Sequence, residues 1–365
     1  VEALLTHLLI RRCEITDRRY RPDVLAAQFG VADDQRPVFQ LFLSWLAEHE
    51  VLTVDDGGVA AGMRLSIVAE PGRWSRLVDQ ATGTALAPVA TRLAEQADDL
   101  IDMLCGELNA LTLLEDPVLA PEALIGTIPA ATTALDDIAD SLNDLASSLE
   151  RPLRIVELGA CTGRTAAQLL KRLSPDQVDY TLADSSDRLL TLAKQRLASQ
   201  PHQLRFHRLT GDLIPDQLHR NCDVVLANNA LHAFDQVTAG VASAAELLAP
   251  HGLLLALEQV ELSPLAMIAA ALLTRGFSTL DNDRRQRGTP LLEPQQWCRL
   301  LAEHGFERMQ AWRQEGTAPL IQLRACRAPG GAPIRTAEVR DWLAERLPAH
   351  MIPNRFVVLP RLPLS

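Results

Sequence analysis

The sequence lacks an excess of positive charge. Its 35 Lys and Arg residues stand against 46 Asp and Glu residues, which gives a formal net charge of −11. Phosphate backbones and anionic lipid surfaces attract basic proteins, so we expect neither a nucleic acid nor a membrane as a partner. Long apolar runs are also missing, because stretches such as 265–273 fall well short of the roughly 20 residues that span a bilayer.

Cysteine pairs with the spacing of a metal site or a redox motif are absent. None of the six cysteines lies in a Cys-x-x-Cys motif or has a histidine at a metal-ligand interval. We therefore expect free thiols in a reducing compartment and no bound metal. The sequence opens without a cationic and apolar signal peptide, which predicts a cytoplasmic protein unless the chain is a piece of a longer one.

The length of 365 residues corresponds to about two to three domains. Residues 1–65 combine short helical patterns with a hairpin turn at Asp55-Asp-Gly-Gly58, an order typical of a winged helix. They contain no basic recognition helix, so we do not expect DNA binding. Residues 66–150 show helical periodicity interrupted by prolines, which predicts a helical subdomain that can cover a pocket.

Apolar strands alternate with amphipathic helices over residues 151–327. This alternation predicts a parallel sheet with right-handed crossovers, and therefore an α/β domain of the Rossmann type. The predicted strands cover residues 154–158, 179–183, 222–227 and 253–259.

A glycine-rich turn and two acids follow consecutive apolar segments. Val156-Glu-Leu-Gly-Ala-Cys-Thr-Gly163 follows a predicted strand and opens a helix, a context in which a ligand can approach the backbone. Taken alone, the motif is explained equally well by a plain tight turn. Asp184 ends the next strand, where an acid can accept hydrogen bonds from a ribose, and Asp212 follows a third apolar segment, where a carboxylate can meet an adenine amino group. Either acid alone is more simply a solvated strand end.

The spacing and order of these features resemble class I S-adenosylmethionine-dependent methyltransferases. Three further motifs resemble the methyltransferase domains embedded in polyketide and nonribosomal peptide synthetases: Asn228-Asn-Ala-Leu-His-Ala233, Leu248-Ala-Pro-His-Gly-Leu-Leu-Leu-Ala-Leu-Glu258 and Leu292-Glu-Pro-Gln-Gln-Trp297. The resemblance covers most of residues 1–327. It implies a class I methyltransferase-like Rossmann-type sheet with an N-terminal winged-helix and helical subdomain.

The resemblance also implies a catalytic pair. The histidine of the Asn-x-Leu-His motif corresponds to His232, and the glutamate at the end of the following strand corresponds to Glu258. A neutral imidazole can remove an acidic proton from a carbon next to a thioester or thiazoline. A carboxylate beside it fixes the tautomer of the imidazole and stabilises the imidazolium.

Four positions around the expected cofactor and substrate depart from the family pattern. Cys161 replaces the second glycine of the turn, and Ile125 replaces a tyrosine that faces the cofactor. Leu189 occupies the place of an aromatic residue after the second strand, and Gly276-Phe-Ser278 replaces a Gly-Trp-Trp segment. A retained catalytic pair beside an altered cofactor turn resembles the epimerisation domains inserted in adenylation domains of siderophore synthetases of the pyochelin type.

This second resemblance implies an epimerase. It would invert the α-carbon of a carrier-protein-tethered aminoacyl thioester, with cysteinyl as the expected aminoacyl group, and it would need no cofactor and no metal. His232 is the expected base and Glu258 the residue that orients it. A donor for the opposite face of the carbon is also required unless water serves, and the sequence does not identify it among the candidates Asp283, Arg284 and Tyr180.

Two alternatives stay open. The first is an active S-adenosylmethionine-dependent C- or N-methyltransferase domain of the same kind of synthetase. In that case the cofactor would be contacted by Glu157, Gly159, Gly163, Asp184 and Asp212, which are vestigial if the chain is an epimerase. The second is a silent docking or spacer domain that only positions its neighbours.

The expected partners follow from the resemblance to synthetases. They are a peptidyl carrier protein with a phosphopantetheine-tethered substrate and an adjoining adenylation domain. Residues 328–365 begin with a linker, Ala328-Pro-Gly-Gly-Ala-Pro333, and continue with a helix predicted over 336–347. Leu347-Pro-Ala-His-Met-Ile-Pro-Asn354 then resembles the last core motif of an adenylation domain, which predicts a partial adenylation segment.

Overall fold

The computed structural model describes residues 2–84, 86–209, 218–313 and 319–328, together with 343 and 351–353. The predicted helix over 336–347 and the adenylation-like motif therefore lie almost entirely outside the described residues. Among the described residues, no helix combines the length and the apolar character needed to cross a membrane.

The N-terminal part of the chain consists of three helices followed by a β-hairpin. These elements are α1 (Glu2–Arg12), α2 (Pro22–Phe29), α3 (Arg36–Glu48), β1 (Leu52–Asp55) and β2 (Gly58–Ala61). Helix α2 starts at a proline, whose fixed φ suits the first turn of a helix. It stops at Gly30, whose φ of +89° gives the left-handed conformation that ends many helices.

Short helices connect this region to the main sheet. They are α4 (Leu65–Val68), α5 (Arg73–Ala81), α6 (Ala87–Glu95), α7 (Ala97–Cys105), α8 (Pro121–Ile125) and the longer α9 (Pro129–Ser147). Helices α8 and α9 both begin with a proline. Because proline cannot continue a preceding helix, these residues divide the helical stretch into separate pieces.

The second half of the chain alternates strands and helices. The strands are β3 (Leu153–Leu158), β4 (Val178–Asp184), β5 (Leu204–Arg208), β6 (Cys222–Asn228), β7 (Leu248–Gln259), β8 (Phe306–Arg313) and β9 (Leu320–Arg327). The helices are α10 (Arg164–Leu169), α11 (Asp187–Arg196), α12 (Val237–Leu247), α13 (Pro264–Leu273), α14 (Asn282–Arg287) and α15 (Pro294–Glu303).

These seven strands form one sheet in the order β5-β4-β3-β6-β7-β9-β8. The first five are parallel, whereas β9 runs antiparallel to β7 and β8 antiparallel to β9. All four strands expected from the sequence are present, and the antiparallel pair at one edge was not predicted. The sheet is therefore mixed rather than wholly parallel.

Three apolar cores hold the molecule together. One lies between the sheet and helices α9, α10 and α11, and a second lies between the opposite face and helices α12 and α15, where Trp297 is completely buried. The third joins the N-terminal helices to α13 through Ile268 and Leu272. Since α13 follows β7 closely in the chain, this core attaches the N-terminal region beside the end of that strand.

An ion-pair cluster fastens the amino ends of β3 and β6. The Asp223 carboxylate accepts hydrogen bonds from Arg151 Nη1 at 2.6 Å, Arg151 Nη2 at 2.9 Å and Arg154 Nη2 at 3.0 Å. Burial alone would raise the pKa of Asp223, but the hydrogen bonds from the two arginines outweigh it and hold this pKa well below its usual value. The ionised carboxylate therefore stabilises the folded state.

We expect Asp223→Asn to lower the free energy of unfolding by about 1–3 kcal/mol at pH 7, because the guanidinium groups of Arg151 and Arg154 lose their charged partner. Since the pKa of Asp223 is depressed in the folded state, its contribution is complete above the unfolded pKa of about 3.9 and is lost as the pH falls further. Urea unfolding at pH 7 and pH 3 should show the difference from the wild type shrinking at the lower pH. Asp140→Asn, in an exposed pair with Arg172, is the control and should match the wild type.

Candidate active site

The carboxyl ends of the parallel strands meet along one edge of the sheet. The turn 159–163 follows β3, Asp184 ends β4, Asn228 ends β6 and Glu258 lies one residue before the end of β7. Ligands of open α/β sheets bind at this edge. The fold therefore brings together the motifs that lie far apart in the sequence.

His232 and Glu258 form a directly bonded pair. His232 Nδ1 lies 2.5 Å from Glu258 Oε2, and Glu258 Oε1 accepts a hydrogen bond of 2.9 Å from the Leu231 amide. Glu258 has no exposed surface, whereas 14% of the His232 side chain is exposed. A carboxylate at Nδ1 keeps the proton on that nitrogen, so Nε2 is the nitrogen that can accept a proton from a substrate.

The loop that carries His232 is attached to β7 on both sides of Glu258. The Asn229 amide donates to the Leu257 carbonyl at 2.7 Å, and Asn229 Oδ1 accepts from the Gln259 amide at 2.9 Å. Asn229 has a φ of +51°, a conformation that asparagine tolerates better than most residues. Its role was not predicted, although an Asn-Asn pair directly after a strand is a signal for such a turn.

The glycine-rich turn packs tightly under this loop. Gly159 has a φ of +71°, and a Cβ atom there would lie 2.6 Å from the Ala230 Cβ. Gly163 has a φ of +76°, and a Cβ atom there would lie 3.0 Å from the Ala193 Cβ. Glycine is therefore required at both positions because the turn lies so close to Ala230 and Ala193. This packing role adds to the ligand contact that the sequence predicts for the turn.

Buried acids surround the turn. Asp184 Oδ2 accepts the Cys161 amide and Oδ1 accepts the Ser186 amide, each at 2.9 Å. The Glu157 carboxylate lies inside the sheet and accepts a 2.9 Å hydrogen bond from the Tyr180 hydroxyl. Burial raises the pKa of Glu157 to about 8 and also raises the pKa of Asp184. Asp212 lies outside the described residues.

A third acid joins the turn to the helices above it. Glu122, in α8, accepts a hydrogen bond from Thr162 Oγ1 and lies 3.3 Å from Arg164 Nε and 3.7 Å from Arg196 Nη1. Burial raises the pKa of Glu122, while the two arginines and Thr162 counteract it. Negative charge from Glu122 further raises the pKa of Glu157, so the acids lie close enough to repel one another.

A cavity of about 690 Å³ opens between α8, α9 and α10. Polar side chains line it, including Glu122, Thr165, Lys171 and Asn228, together with the apolar Ile125. Its volume lies within the roughly 300–1,000 Å³ of typical small-molecule sites. The described residues contain no cluster of His, Cys, Asp and Glu side chains arranged to hold a metal ion.

Of the altered positions, Ile125 lines this cavity and Cys161 lies in the neighbouring turn. Ile125 is buried at its wall, and Cys161 adopts a φ of +49° with its amide bonded to Asp184. Burial and the neighbouring carboxylates of Glu122 and Asp184 raise the pKa of the Cys161 thiol, so it is a neutral group in the turn. Isoleucine in place of the family's tyrosine has therefore not closed this cavity.

Each candidate for a second proton donor has partners elsewhere in the protein. Tyr180 is completely buried and bonded to Glu157. Asp283 is 70% exposed and pairs with Arg287 Nε at 3.1 Å. Arg284 is 1% exposed and directs its guanidinium N–H groups at protein acceptors. Residues 282–287 form a short helix that is capped by Asp281 and carries this buried arginine.

The raised pKa of Glu157 predicts a pH-dependent stability. Because this pKa is about 8 in the fold and about 4.3 in the unfolded chain, the folded state binds the proton more tightly and loses stability as the pH rises between these values. Glu157→Gln should match the wild type near pH 5 and exceed it by more than about 1 kcal/mol near pH 8.5. Urea unfolding at the two pH values measures this.

Glu150→Gln, at an exposed position, is the control for this comparison and should follow the wild type at both pH values. Equal stability of Glu157→Gln and the wild type at pH 8.5 would show that the Glu157 carboxylate is ionised without cost in the fold.

The chain matches known methyltransferases. A family model described as a methyltransferase domain matches residues 156–254. Pyochelin synthetase PchE of Pseudomonas aeruginosa strain UCBPP-PA14 is 32% identical over 303 residues, which cover 80% of this chain and 20% of that protein. The chain thus spans about a fifth of the length of this curated relative.

Solved structures share the fold. The CurJ carbon methyltransferase superposes with a TM-score of 0.73 at 21% identity, over 90% of both chains. The trans-methyltransferase CalH, solved in complex with SAH, superposes with a TM-score of 0.65 at 21% identity, over 90% of this chain and 89% of that one. The predicted class I methyltransferase fold is confirmed.

The prediction of an epimerase is wrong. The match to a methyltransferase domain and the fold shared with CurJ support the methyltransferase alternative instead. The physical reason is that Ile125, one of the four substitutions that predicted a lost cofactor site, lines a cavity that the fold keeps open. A methyltransferase-domain model matches residues 156–254, and the chain has the class I methyltransferase fold.

Proposed function

We propose that the chain is an S-adenosylmethionine-dependent methyltransferase that methylates a carbon atom next to a thioester. The observation that carries this proposal is the buried Glu258 carboxylate bonded to His232 Nδ1 at the carboxyl edge of the sheet. Such a pair is a general base whose free nitrogen can remove a proton from an acidic C–H group. The match over 156–254 supports methyl transfer as the reaction.

The base favours carbon over nitrogen as the methyl acceptor. A neutral amine already offers a lone pair to an electrophile, whereas a carbon next to a thioester becomes nucleophilic only after it loses a proton. General-base catalysis contributes about 10²- to 10⁴-fold to such proton transfers. An imidazole held by a fully buried carboxylate is therefore the feature that a carbon acceptor requires.

The residues around the turn suit the cofactor. S-adenosylmethionine supplies an electrophilic methyl group and carries a sulfonium and an ammonium cation as well as a carboxylate. The crowded acids Glu157, Glu122 and Asp184 would be relieved by positive charge nearby. Arg164 and Lys171, on the same cavity wall, suit a carboxylate. We infer that the turn 159–163 and Asp184 hold the cofactor, and we predict the same of Asp212.

The steps assigned to this chain are those of proton transfer and positioning. His232 Nε2 takes the proton from the acceptor carbon, and the electron pair left behind is delocalised onto the thioester carbonyl as an enolate. The Glu258 carboxylate stabilises the imidazolium that forms. Helix α8 contributes Glu122 and Ile125 to the wall of the cavity.

The acceptor is proposed to arrive on a partner. The relative PchE is named as a synthetase and is about five times as long as the matched region. We therefore infer that a peptidyl carrier protein presents the acceptor on phosphopantetheine. Residues 328–365 would join this part of the chain to an adjoining adenylation domain.

Calorimetry with S-adenosylmethionine tests the cofactor, and we expect micromolar binding, as is usual for enzymes.

Histidine variants test the base. His232→Gln should bind the cofactor as the wild type does and should lower methyl transfer to the N-acetylcysteamine thioester of 3-oxobutanoate by about 10²- to 10⁴-fold. His251→Gln is the control. His251 is exposed and lies near the start of β7, the strand that carries Glu258 near its other end.

Two results would contradict the proposal. Absence of cofactor binding at millimolar concentration would exclude a working methyltransferase. Unchanged methyl transfer by His232→Gln would remove the base from the mechanism and leave the carbon acceptor without support.

A further inference from the structure

We propose that Arg284 is a positioning residue for the base, which fixes the main chain of His232 while Glu258 fixes its side chain. This inference rests on the proposed function and adds a residue to it. Arg284 lies on α14, 52 positions after His232 in the sequence, and its side chain is 1% exposed. An arginine is rarely buried to this extent unless its charge and its donors are matched.

Every N–H group of the Arg284 guanidinium has an acceptor. Nη1 donates to the His232 carbonyl at 2.5 Å and to the Pro290 carbonyl at 3.4 Å. Nη2 donates to the Phe234 carbonyl at 2.6 Å and to the Asp235 carbonyl at 2.8 Å. Three of these four acceptors belong to the short segment that begins with the base.

Asp281 fixes the guanidinium itself. Its Oδ2 accepts from Arg284 Nε at 2.7 Å and balances the buried charge. Its Oδ1 accepts the Arg284 amide at 3.1 Å and so caps the start of α14. The Asp281 amide also donates to the Asp235 carbonyl at 2.8 Å. The acid, the arginine and the loop therefore form one bonded unit.

This unit matters because the loop has little regular structure of its own. The segment Leu231–Ala233 is a single 3₁₀ turn. A planar guanidinium with five N–H donors can hold several carbonyls in one fixed arrangement, which the single ammonium of lysine cannot reproduce. Errors of about 1 Å in the position of a catalytic group reduce rates by about 10²-fold. The arginine therefore controls where the imidazole lies relative to the acceptor carbon.

Arg284→Lys tests the inference, because it keeps the positive charge and removes the planar group with its five N–H donors. Arg285→Lys is the matched control on the same helix, since Arg285 is exposed and its side chain bonds only Asn282 Oδ1 among the contacts described. We expect Arg284→Lys to lower kcat by about 10²-fold while KM for the 3-oxobutanoyl thioester and Kd for S-adenosylmethionine stay unchanged. Arg285→Lys should behave as the wild type.

A second readout does not require methyl transfer. The rate at which the α-protons of the thioester exchange with D₂O, above the rate without protein, reports proton removal by His232 alone. It should fall in parallel with kcat in Arg284→Lys. Asp281→Asn keeps the shape of the cap but weakens the contact with the Arg284 guanidinium, so it should lower the exchange rate and kcat by a smaller factor. It replaces Arg284→Lys as the test if that variant does not fold.

The outcomes separate the inference from the proposed function. Equal kcat and exchange rates for the Arg284→Lys and Arg285→Lys variants would overturn the positioning role. A loss of cofactor binding as large as the loss of kcat would also overturn it, because it would show a general structural role. A wild-type chain that exchanges the proton but transfers no methyl group would refute the proposed function, and the exchange rates alone would then decide the role of Arg284.

Discussion

The site depends on one buried carboxylate. Glu258 lies near the carboxyl end of β7, an interior strand of the sheet that is paired with β6 on one side and with β9 on the other. An ionised group without contact with water is stable only if hydrogen bonds replace its hydration. The Leu231 amide and the His232 imidazole supply these bonds. The folding requirement of the strand and the chemical requirement of the base are therefore met by the same two contacts.

The elements around this carboxylate are arranged so that the loop after β6 cannot move away from it. Asn229 bonds the loop to β7, Gly159 lets the turn after β3 pack against it, and Arg284 holds its carbonyls from the other side. Each contact comes from a different part of the chain. A base on a loop can thus have the fixed position that is usual for residues on strands or helices.

The sequence was informative where a residue's role follows from local pattern. Alternating apolar segments predicted the strands β3, β4, β6 and β7, because a buried parallel strand needs a continuous apolar run. Short motifs at strand ends predicted that His232 and Glu258 belong to one site. Contacts made only in the folded chain were not predictable. Arg284 lies in the strongly polar stretch 281–287, and nothing in that stretch indicates that one of its arginines is buried.

The incorrect expectation of an epimerase has a related cause. Four departures from the family pattern, Cys161 and Ile125 among them, predicted a lost cofactor site, but a cofactor site is a volume with a charge distribution. The structure keeps both the cavity and the acids around the turn. Side chains that differ from a family pattern can line the same space, provided that the backbone keeps its course, as the left-handed conformation of Cys161 allows here.

The central claim is that methyl transfer takes place at a carbon atom activated by His232. It is tested most directly by incubating the chain with S-adenosylmethionine carrying a ¹³C methyl group and the 3-oxobutanoyl thioester, and by locating the label with NMR. The account predicts a new ¹³C–¹²C bond at the α-carbon, formed by the wild type and not by His232→Gln. Label on a nitrogen or oxygen atom, or label on carbon that is independent of His232, would contradict it.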